Sequence, residues 1–239
     1  MDRMERTNLT INGSGSYGGG LYGKVKVNGE AKVTDHLDCL LYSIRGKGQV
    51  MGNTKVETLS VFGEADLNGD LQANKVSVFG NCNVAGEGDI KNSVIRGSFK
   101  IDEKYNGERA EIKGELIVKS DVEVESFISK GHFHIDGLLN AEEIDISLRH
   151  GKSYAGEIGG KKINVRVPSS ISDIFRGKKY LLLEARVIEG DDIYLENTKA
   201  DIVRGQNIEI GPRCEINQIE YKGIYKKVKS SIVKEERKI

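Results

Sequence analysis

The 239-residue chain contains 29 glycines, two prolines and no tryptophan, a composition that favours short β-strands with tight turns and argues against a helical protein. Its 36 basic and 36 acidic residues give a formal net charge of zero, which excludes a global field that would attract nucleic acid or an anionic membrane. Three cysteines, Cys39, Cys82 and Cys214, lie far apart without a CxxC motif, so we expect buried, reduced thiols.

Residues 1–20 form the first predicted segment, and they end in the run GSGSYGGG. Such a run buries too little apolar surface to order itself, so a flexible tail or cap is predicted, with Leu9 and Ile11 as the candidates for an extra capping strand. Nowhere in the chain is an apolar run long enough for a signal peptide or a membrane span. We therefore expect a cytoplasmic protein, free or at the inner face of the membrane.

A 17-residue repeat dominates residues 21–167 and predicts the main β-helix. One glycine recurs without insertion or deletion at Gly29, Gly46, Gly63, Gly80, Gly97, Gly114 and Gly131. Apolar columns lie two positions before it and four positions after it, as in Val61 and Leu67, and this alternation is the period of a β-strand. The pattern predicts an all-β, three-sided β-helix with three short strands in each 17-residue turn.

Two further columns carry specific expectations. The interior column changes from small to large side chains along the chain, at Ala31, Gly48, Ala65, Cys82, Phe99, Leu116 and Phe133. Phe62 and Phe79 follow inward-facing valines by one position, so they are predicted to form an exposed aromatic ladder across adjacent turns.

Beyond Asn140 the register weakens. Ile144 and Ile146, followed by Ile163 and Val165, are expected to continue the 17-residue step. We then predict an insertion or linker at 168–179, with a short helix that begins near Ser172 and Asp173. A second and shorter β-helical block is predicted at 180–223, where the repeat spacing is nearer 15 residues than 17. Residues 224–239 are predicted to form a frayed or short helical tail.

No constellation of residues predicts catalysis. His132 and His134 alternate around Phe133, a spacing that can hold a metal, but no third ligand lies nearby and both imidazoles are expected to face solvent. Asp191, Asp192 and Asp201 do not match the calcium-binding repeat of β-rolls. The sequence therefore predicts a protein that is not an enzyme and has no catalytic residue, cofactor or metal.

The segments VSVFGNCNVAG and LSVFGEADLNG resemble the repeats of bactofilins, the polymer-forming cytoskeletal proteins of bacteria. The resemblance implies a right-handed three-sided β-helix that polymerises end to end into non-polar filaments without nucleotide and scaffolds cell-envelope, shape or motility machinery. The partners it implies are further copies of the chain, a paralogous bactofilin and envelope-associated proteins, and not nucleic acid.

An uncapped β-helix also ends in unpaired backbone groups over an apolar cross-section, which is a template for another copy. The residues predicted to carry polymerisation are therefore those of the expected end turns, Val25, Val27, Ala31 and Val33 at one end and Ile208, Ile210, Ile216 and Ile219 at the other.

The alternative is an acyltransferase built on a left-handed β-helix of hexapeptide repeats. Three hexapeptides make one turn of that fold, so its turn is slightly longer than the repeat of this chain. It also needs a catalytic histidine on an inserted loop, for which His150 is the candidate.

Overall fold

The computed structural model describes residues 6–168 and 181–239, and within these ranges it contains β-strands and no helix. The chain divides into two compact units, residues 1–108 and 109–239. In each unit the strands of successive turns pair in parallel, and their register confirms the 17-residue repeat that the sequence predicts. The short helix predicted near Ser172 and Asp173, and the linker beyond Pro168, lie outside the described residues.

Unit 1 is built from two ladders of parallel strands. The longer strands are β1 (Thr7–Ile11), β3 (Gly20–Val27), β5 (Leu37–Ile44), β7 (Thr54–Val61), β9 (Leu71–Val78) and β11 (Gly88–Ile95). The shorter strands are β2 (Ser14–Tyr17), β4 (Glu30–Val33), β6 (Lys47–Val50), β8 (Glu64–Leu67), β10 (Asn81–Val84) and β12 (Ser98–Ile101). Pairing of β7 is interrupted at Glu57, so each long strand supplies two faces of the solenoid and each short strand the third.

Unit 2 has the same architecture with longer strands. After β13 (Tyr105–Ile112), which contains the division between the units, the strands are β14 (Glu115–Val118), β15 (Val122–Ser129), β16 (His132–Ser147), β17 (Lys152–Arg166), β18 (Leu182–Leu195), β19 (Thr198–Ile210), β20 (Glu215–Tyr221), β21 (Tyr225–Lys227) and β22 (Ile232–Lys238). Strand β18 pairs with β17, so the block that begins near residue 180 stacks on the preceding turn.

The structure corrects the predicted register of unit 2 in one place and agrees with it in another. Ile144 pairs with Ile163, so the step there is longer than the predicted 17-residue step, because the turn between β16 and β17 is longer. Leu183 pairs with Thr198, which is the predicted step of 15.

The first and last segments that the structure describes are also solenoid turns. Strands β1 and β2 pair with β3 and β4, so the segment at 7–17 is a cap and not a flexible tail. The tail predicted at 224–239 is likewise a turn, in which β21 pairs with β19 and β22 with β20. Ordered pairing replaces the expected fraying because the last turn keeps the backbone register even where its side chains are polar.

The core of unit 1 combines large and small inward residues within one turn. Tyr42 is fully buried in the same turn as Gly48, where a Cβ atom would lie 2.8 Å from the Tyr42 hydroxyl oxygen. Phe99 is also fully buried, and the residue in the facing column of the same turn is the small Ser93. The small-to-large change predicted for the interior column is therefore compensated by the column that faces it, which keeps the interior densely packed.

Two buried tyrosines differ in how their hydroxyl groups are satisfied, and this leads to a prediction. Tyr105 and Ser93 share a hydrogen bond of 2.7 Å, whereas the buried Tyr42 hydroxyl has no hydrogen-bond partner in the described structure. Tyr42→Phe is expected to raise the free energy of unfolding by about 1–2 kcal/mol, because it removes an unpaired buried polar group. Tyr105→Phe is expected to lower that free energy by about 1–2 kcal/mol, because it leaves Ser93 without its partner. Urea unfolding followed by circular dichroism measures both changes, and equal changes in the two variants would contradict the assignment.

Candidate functional site

The eight residues predicted to carry polymerisation lie one turn inside the solenoid. Leu9 pairs with Val25 and Ile11 with Val27, while β2 covers Ala31 and Val33 in the same way. At the other end β21 covers Ile208 and Ile210, and β22 covers Ile216 and Ile219. All eight side chains are buried, so the surfaces available for end-to-end contact are formed by the turns outside them.

The first described turn presents an end without charge. Strands β1 and β2, TNLTI and SGSY, contain no ionisable acid or base other than Tyr17, and within the described residues each pairs on one side only. The Tyr17 ring lies over Gly15, where it partly covers the interior. Arg6, the charge nearest to β1, turns away and binds Asp38 at 2.7 Å. An uncharged strand edge over an apolar interior is open to pairing with another chain.

The last turn presents the opposite chemistry. Tyr225, Lys227 and Glu236 stand in register with the inward residues of the turn before them, where an apolar side chain would continue the core. The Lys227 ammonium and the Tyr225 hydroxyl both donate to Glu236 Oε1, at 2.9 and 3.0 Å. We call this cluster of three side chains the polar lid.

The surroundings of Glu236 favour its ionised form. The Lys227 ammonium lowers the pKa of Glu236, burial opposes this, and the hydrogen bond from Tyr225 adds to the lowering. Burial, followed by the neighbouring Glu236 carboxylate, raises the pKa of Tyr225. The exposed residues of β22 are also mainly charged, and charge on an edge strand discourages pairing with another sheet.

Phe62 and Phe79 stand on a corner of unit 1, one turn apart. Their rings stack with centroids 4.8 Å apart and planes 7° from parallel, and 51% and 44% of the two residues remain exposed. The guanidinium of Arg96 lies 4.9 Å from the Phe79 centroid, on the next turn. Arg45 occupies the same column one turn before Phe62. We call this column of four residues the aromatic ridge.

The remaining candidates do not form a reactive site. His132 lies 3.0 Å from Glu115 Oε1 and His134 lies 2.8 Å from Asp136 Oδ1, so both imidazoles face outward and contact carboxylates. His150 is exposed in the turn between β16 and β17. No group of three or more His, Cys, Asp or Glu side chains that could hold a metal occurs in the part of the chain that the structure describes.

The cysteines are buried and unpaired, as the sequence predicts. Burial raises the pKa of Cys39 to about 12 and that of Cys214 to about 11. These two thiols therefore stay protonated at neutral pH, and protonated thiols are poor nucleophiles.

The sequence predicted the Phe62 and Phe79 ladder of the aromatic ridge and offered Leu9 and Ile11 as a capping strand, but it did not predict Arg45 and Arg96 beside the ladder or the last turn. The polar lid could not be recognised because its residues break the apolar columns that define the repeat. The signal for the first turn was present, since Leu9 and Ile11 precede Val25 and Val27 at nearly the step of the repeat. Among residues 6–168 and 181–239, no helix has the length and apolarity needed to cross a membrane.

Comparison with known proteins gives two relatives. No protein-family model matches the chain, and no solved structure matches it. YhbF of Bacillus subtilis strain 168 is 48% identical over 79 residues, which are 33% of this chain and 32% of YhbF. YhbE of the same strain, described as an uncharacterized protein, is 45% identical over 225 residues, which are 94% of each chain. With this identity over nearly the full length of both proteins, the chain belongs to the family of Bacillus subtilis YhbE.

Proposed function

We propose that this protein is a cytoskeletal scaffold of the bactofilin type, without enzymatic activity, that assembles end to end without nucleotide. The observation that carries the proposal is the first described turn, where two uncharged strands over the apolar interior pair on one side only among residues 6–168 and 181–239. The principal contact between copies is placed at this turn, where Leu9 and Tyr17 are half-buried. Backbone pairing and apolar burial would both stabilise such a contact.

The last turn supplies the second contact of an end-to-end assembly. Because the polar lid and β22 are charged, a contact there depends on complementary charges and weakens as salt is added. Salt should therefore shorten the assemblies before it separates copies joined at the first turn.

In the cell the scaffold would organise cell-envelope, shape or motility machinery of a bacterium, in the cytoplasm or at the inner face of the membrane. Its partners would be copies of itself, a paralogous chain and envelope-associated proteins. YhbE and YhbF of one Bacillus subtilis strain both resemble this chain, so two such proteins can occur in one cell, which assembly with a paralogue requires.

Analytical ultracentrifugation and electron microscopy of the nucleotide-free protein test the proposal. The wild-type chain is expected to form large assemblies at physiological salt. The double variant Leu9→Lys/Tyr17→Lys is expected to reduce the assembled fraction about tenfold or more, because burying two lysines at an end contact carries a large desolvation cost.

The matched control is Thr10→Lys/Ser16→Lys, which adds the same charge to exposed positions of β1 and β2. It is expected to assemble like the wild type. A wild-type protein that stays monomeric at high concentration would overturn the scaffold proposal, and equal assembly by all three proteins would overturn the placement of the contact.

A further inference from the structure

One face of unit 1 carries no acidic residue. It is formed by the outward residues in the second halves of β3, β5, β7, β9 and β11. Three of these residues are lysines, Lys24, Lys26 and Lys75, and the others are uncharged. We call this surface the acid-free face. The aromatic ridge runs along its edge, at the corner where each long strand ends.

The acid-free face and the aromatic ridge together hold five cations and no Asp or Glu, in a chain whose acids and bases are equal in number. Within the described residues, these five cations, Lys24, Lys26, Lys75, Arg45 and Arg96, form no ion pair with a carboxylate. Elsewhere in unit 1 the charges of adjacent turns do pair: Lys47 lies 3.2 Å from Glu64 on a neighbouring face, and Lys91 lies 3.7 Å from Glu108. The cations of this face are therefore available to carboxylates from outside the chain.

The geometry of the aromatic ridge defines what the partner offers. Since Phe62 and Phe79 stack on each other and Arg96 covers the outer side of Phe79, Phe79 presents mainly its ring edge to solvent, and Phe62 presents its edge and one ring face. Aromatic edges are the electropositive part of the ring and favour contact with oxygen atoms or with another aromatic face. Arg45 and Arg96 lie three turns apart, about 14 Å at the usual spacing of β-strands. That separation suits two carboxylates on either side of an aromatic residue in an extended segment.

We propose that the acid-free face and the aromatic ridge form a docking surface for an acidic, extended segment of a partner protein that carries an aromatic side chain between its carboxylates. Three hydroxyl groups, those of Ser43, Ser60 and Ser77, line the surface in one column and can hydrogen-bond to the segment's carboxylates and backbone. The inference is independent of the end-to-end assembly, since it uses a side of unit 1.

Two other anionic ligands fit less well. Single-stranded nucleic acid binds by stacking successive bases on open aromatic faces, but Phe62 and Phe79 cover each other's facing sides and Arg96 covers the far side of Phe79, which leaves one ring face. A lipid surface requires apolar side chains that enter the hydrocarbon, whereas most outward residues of the acid-free face are hydroxyl, amide or charged groups.

Fluorescence anisotropy with a labelled peptide of three Asp-Ser-Phe-Glu repeats tests the proposal. The wild-type chain is expected to bind this peptide and not the same peptide with Asn and Gln in place of the acids. The double variant Arg45→Glu/Arg96→Glu is expected to weaken binding about tenfold or more, since it removes two charge-assisted contacts. The matched control Lys32→Glu/Lys55→Glu changes exposed lysines on the other two faces by the same total charge and is expected to leave the affinity within about twofold.

A second pair of variants tests the aromatic part separately from charge. Phe62→Ser/Phe79→Ser is expected to weaken peptide binding about fivefold or more, because it removes two aromatic contacts. The control Leu40→Ser/Met51→Ser removes two other exposed apolar side chains of unit 1 and is expected to have no effect on binding. Circular dichroism verifies that all four variants retain the strand content of the wild type.

Three results would overturn the proposal. The first is that the wild-type chain does not bind the acidic peptide. The second is that the ridge variants and their controls lose peptide binding equally. The third is that the wild-type chain binds single-stranded oligothymidylate or phosphatidylserine vesicles more tightly than the peptide, and that the ridge variants abolish this binding. The docking surface would be established if peptide binding is weakened by the arginine variant and by the phenylalanine variant and is unchanged in both control variants.

Discussion

The variant Gly63→Ala is expected to lower the free energy of unfolding by about 4 kcal/mol or more, a size reached by few single substitutions. Gly63 stands at a corner of unit 1 directly above Gly46 of the preceding turn, and a Cβ atom at Gly63 would overlap the Gly46 carbonyl oxygen. That oxygen cannot move aside freely, because it accepts a hydrogen bond of 2.9 Å from the Glu64 N–H. The clash is between two backbones, so no side-chain rotation relieves it.

Urea unfolding of Gly63→Ala and of the control Gly18→Ala measures the effect. A Cβ atom at Gly18 would have no neighbour within 4 Å. The control is therefore expected to change the free energy of unfolding by less than about 1 kcal/mol, towards stabilisation, because alanine restricts the unfolded chain. Similar unfolding midpoints for the two variants would contradict a steric origin of the glycine column.

The same corner explains why the solenoid of unit 1 could be predicted from the sequence. Each turn brings its backbone so close to the previous one that glycine is required at Gly46, Gly63 and Gly80, and this requirement appears as a column with a fixed period. The inward columns repeat with it because the strands alternate. Where turns change length, as between Ile144 and Ile163, the period is lost and the register has to come from the backbone pairing.

The candidate surfaces were only partly predictable for a related reason. Phe62 and Phe79 could be placed outside because they follow inward valines within the regular repeat. The last turn could not, since within the described residues it pairs with one neighbouring turn instead of two and its side chains escape the constraints that create the columns. Leu9 conforms to the apolar pattern, whereas Glu236 occupies an inward column as part of the polar lid.

The acid-free face could not be predicted from the sequence for a different reason, since it is defined by the absence of Asp and Glu from one surface. Lys24, Lys75 and Arg96 are ordinary surface cations when each is considered alone. Only the register of the turns places them on one surface and shows that no carboxylate lies between them.

The interior of unit 1 offers the second large effect, a double substitution at Tyr42 and Gly48. Tyr42→Ala is expected to lower the free energy of unfolding by about 3–5 kcal/mol, since it leaves a cavity in a fully buried site. Gly48→Leu is expected to lower it by about 1–3 kcal/mol or more, because its Cβ already meets Tyr42 and Ile44 at 2.8 and 3.0 Å. In Tyr42→Ala/Gly48→Leu the leucine can fill the space that the tyrosine ring vacates.

The double variant is therefore expected to be more stable than the sum of the two single losses predicts, by about 1–3 kcal/mol. Urea unfolding of all four proteins gives this coupling energy. A control cycle pairs Tyr42→Ala with Ala65→Leu. Ala65 pairs with Gly48 from the next turn, but within its own turn it faces Leu59 and not Tyr42. Coupling in the first cycle and not in the second indicates that large and small residues compensate within a turn; coupling of equal size in both would show that the interior repacks along the solenoid axis instead.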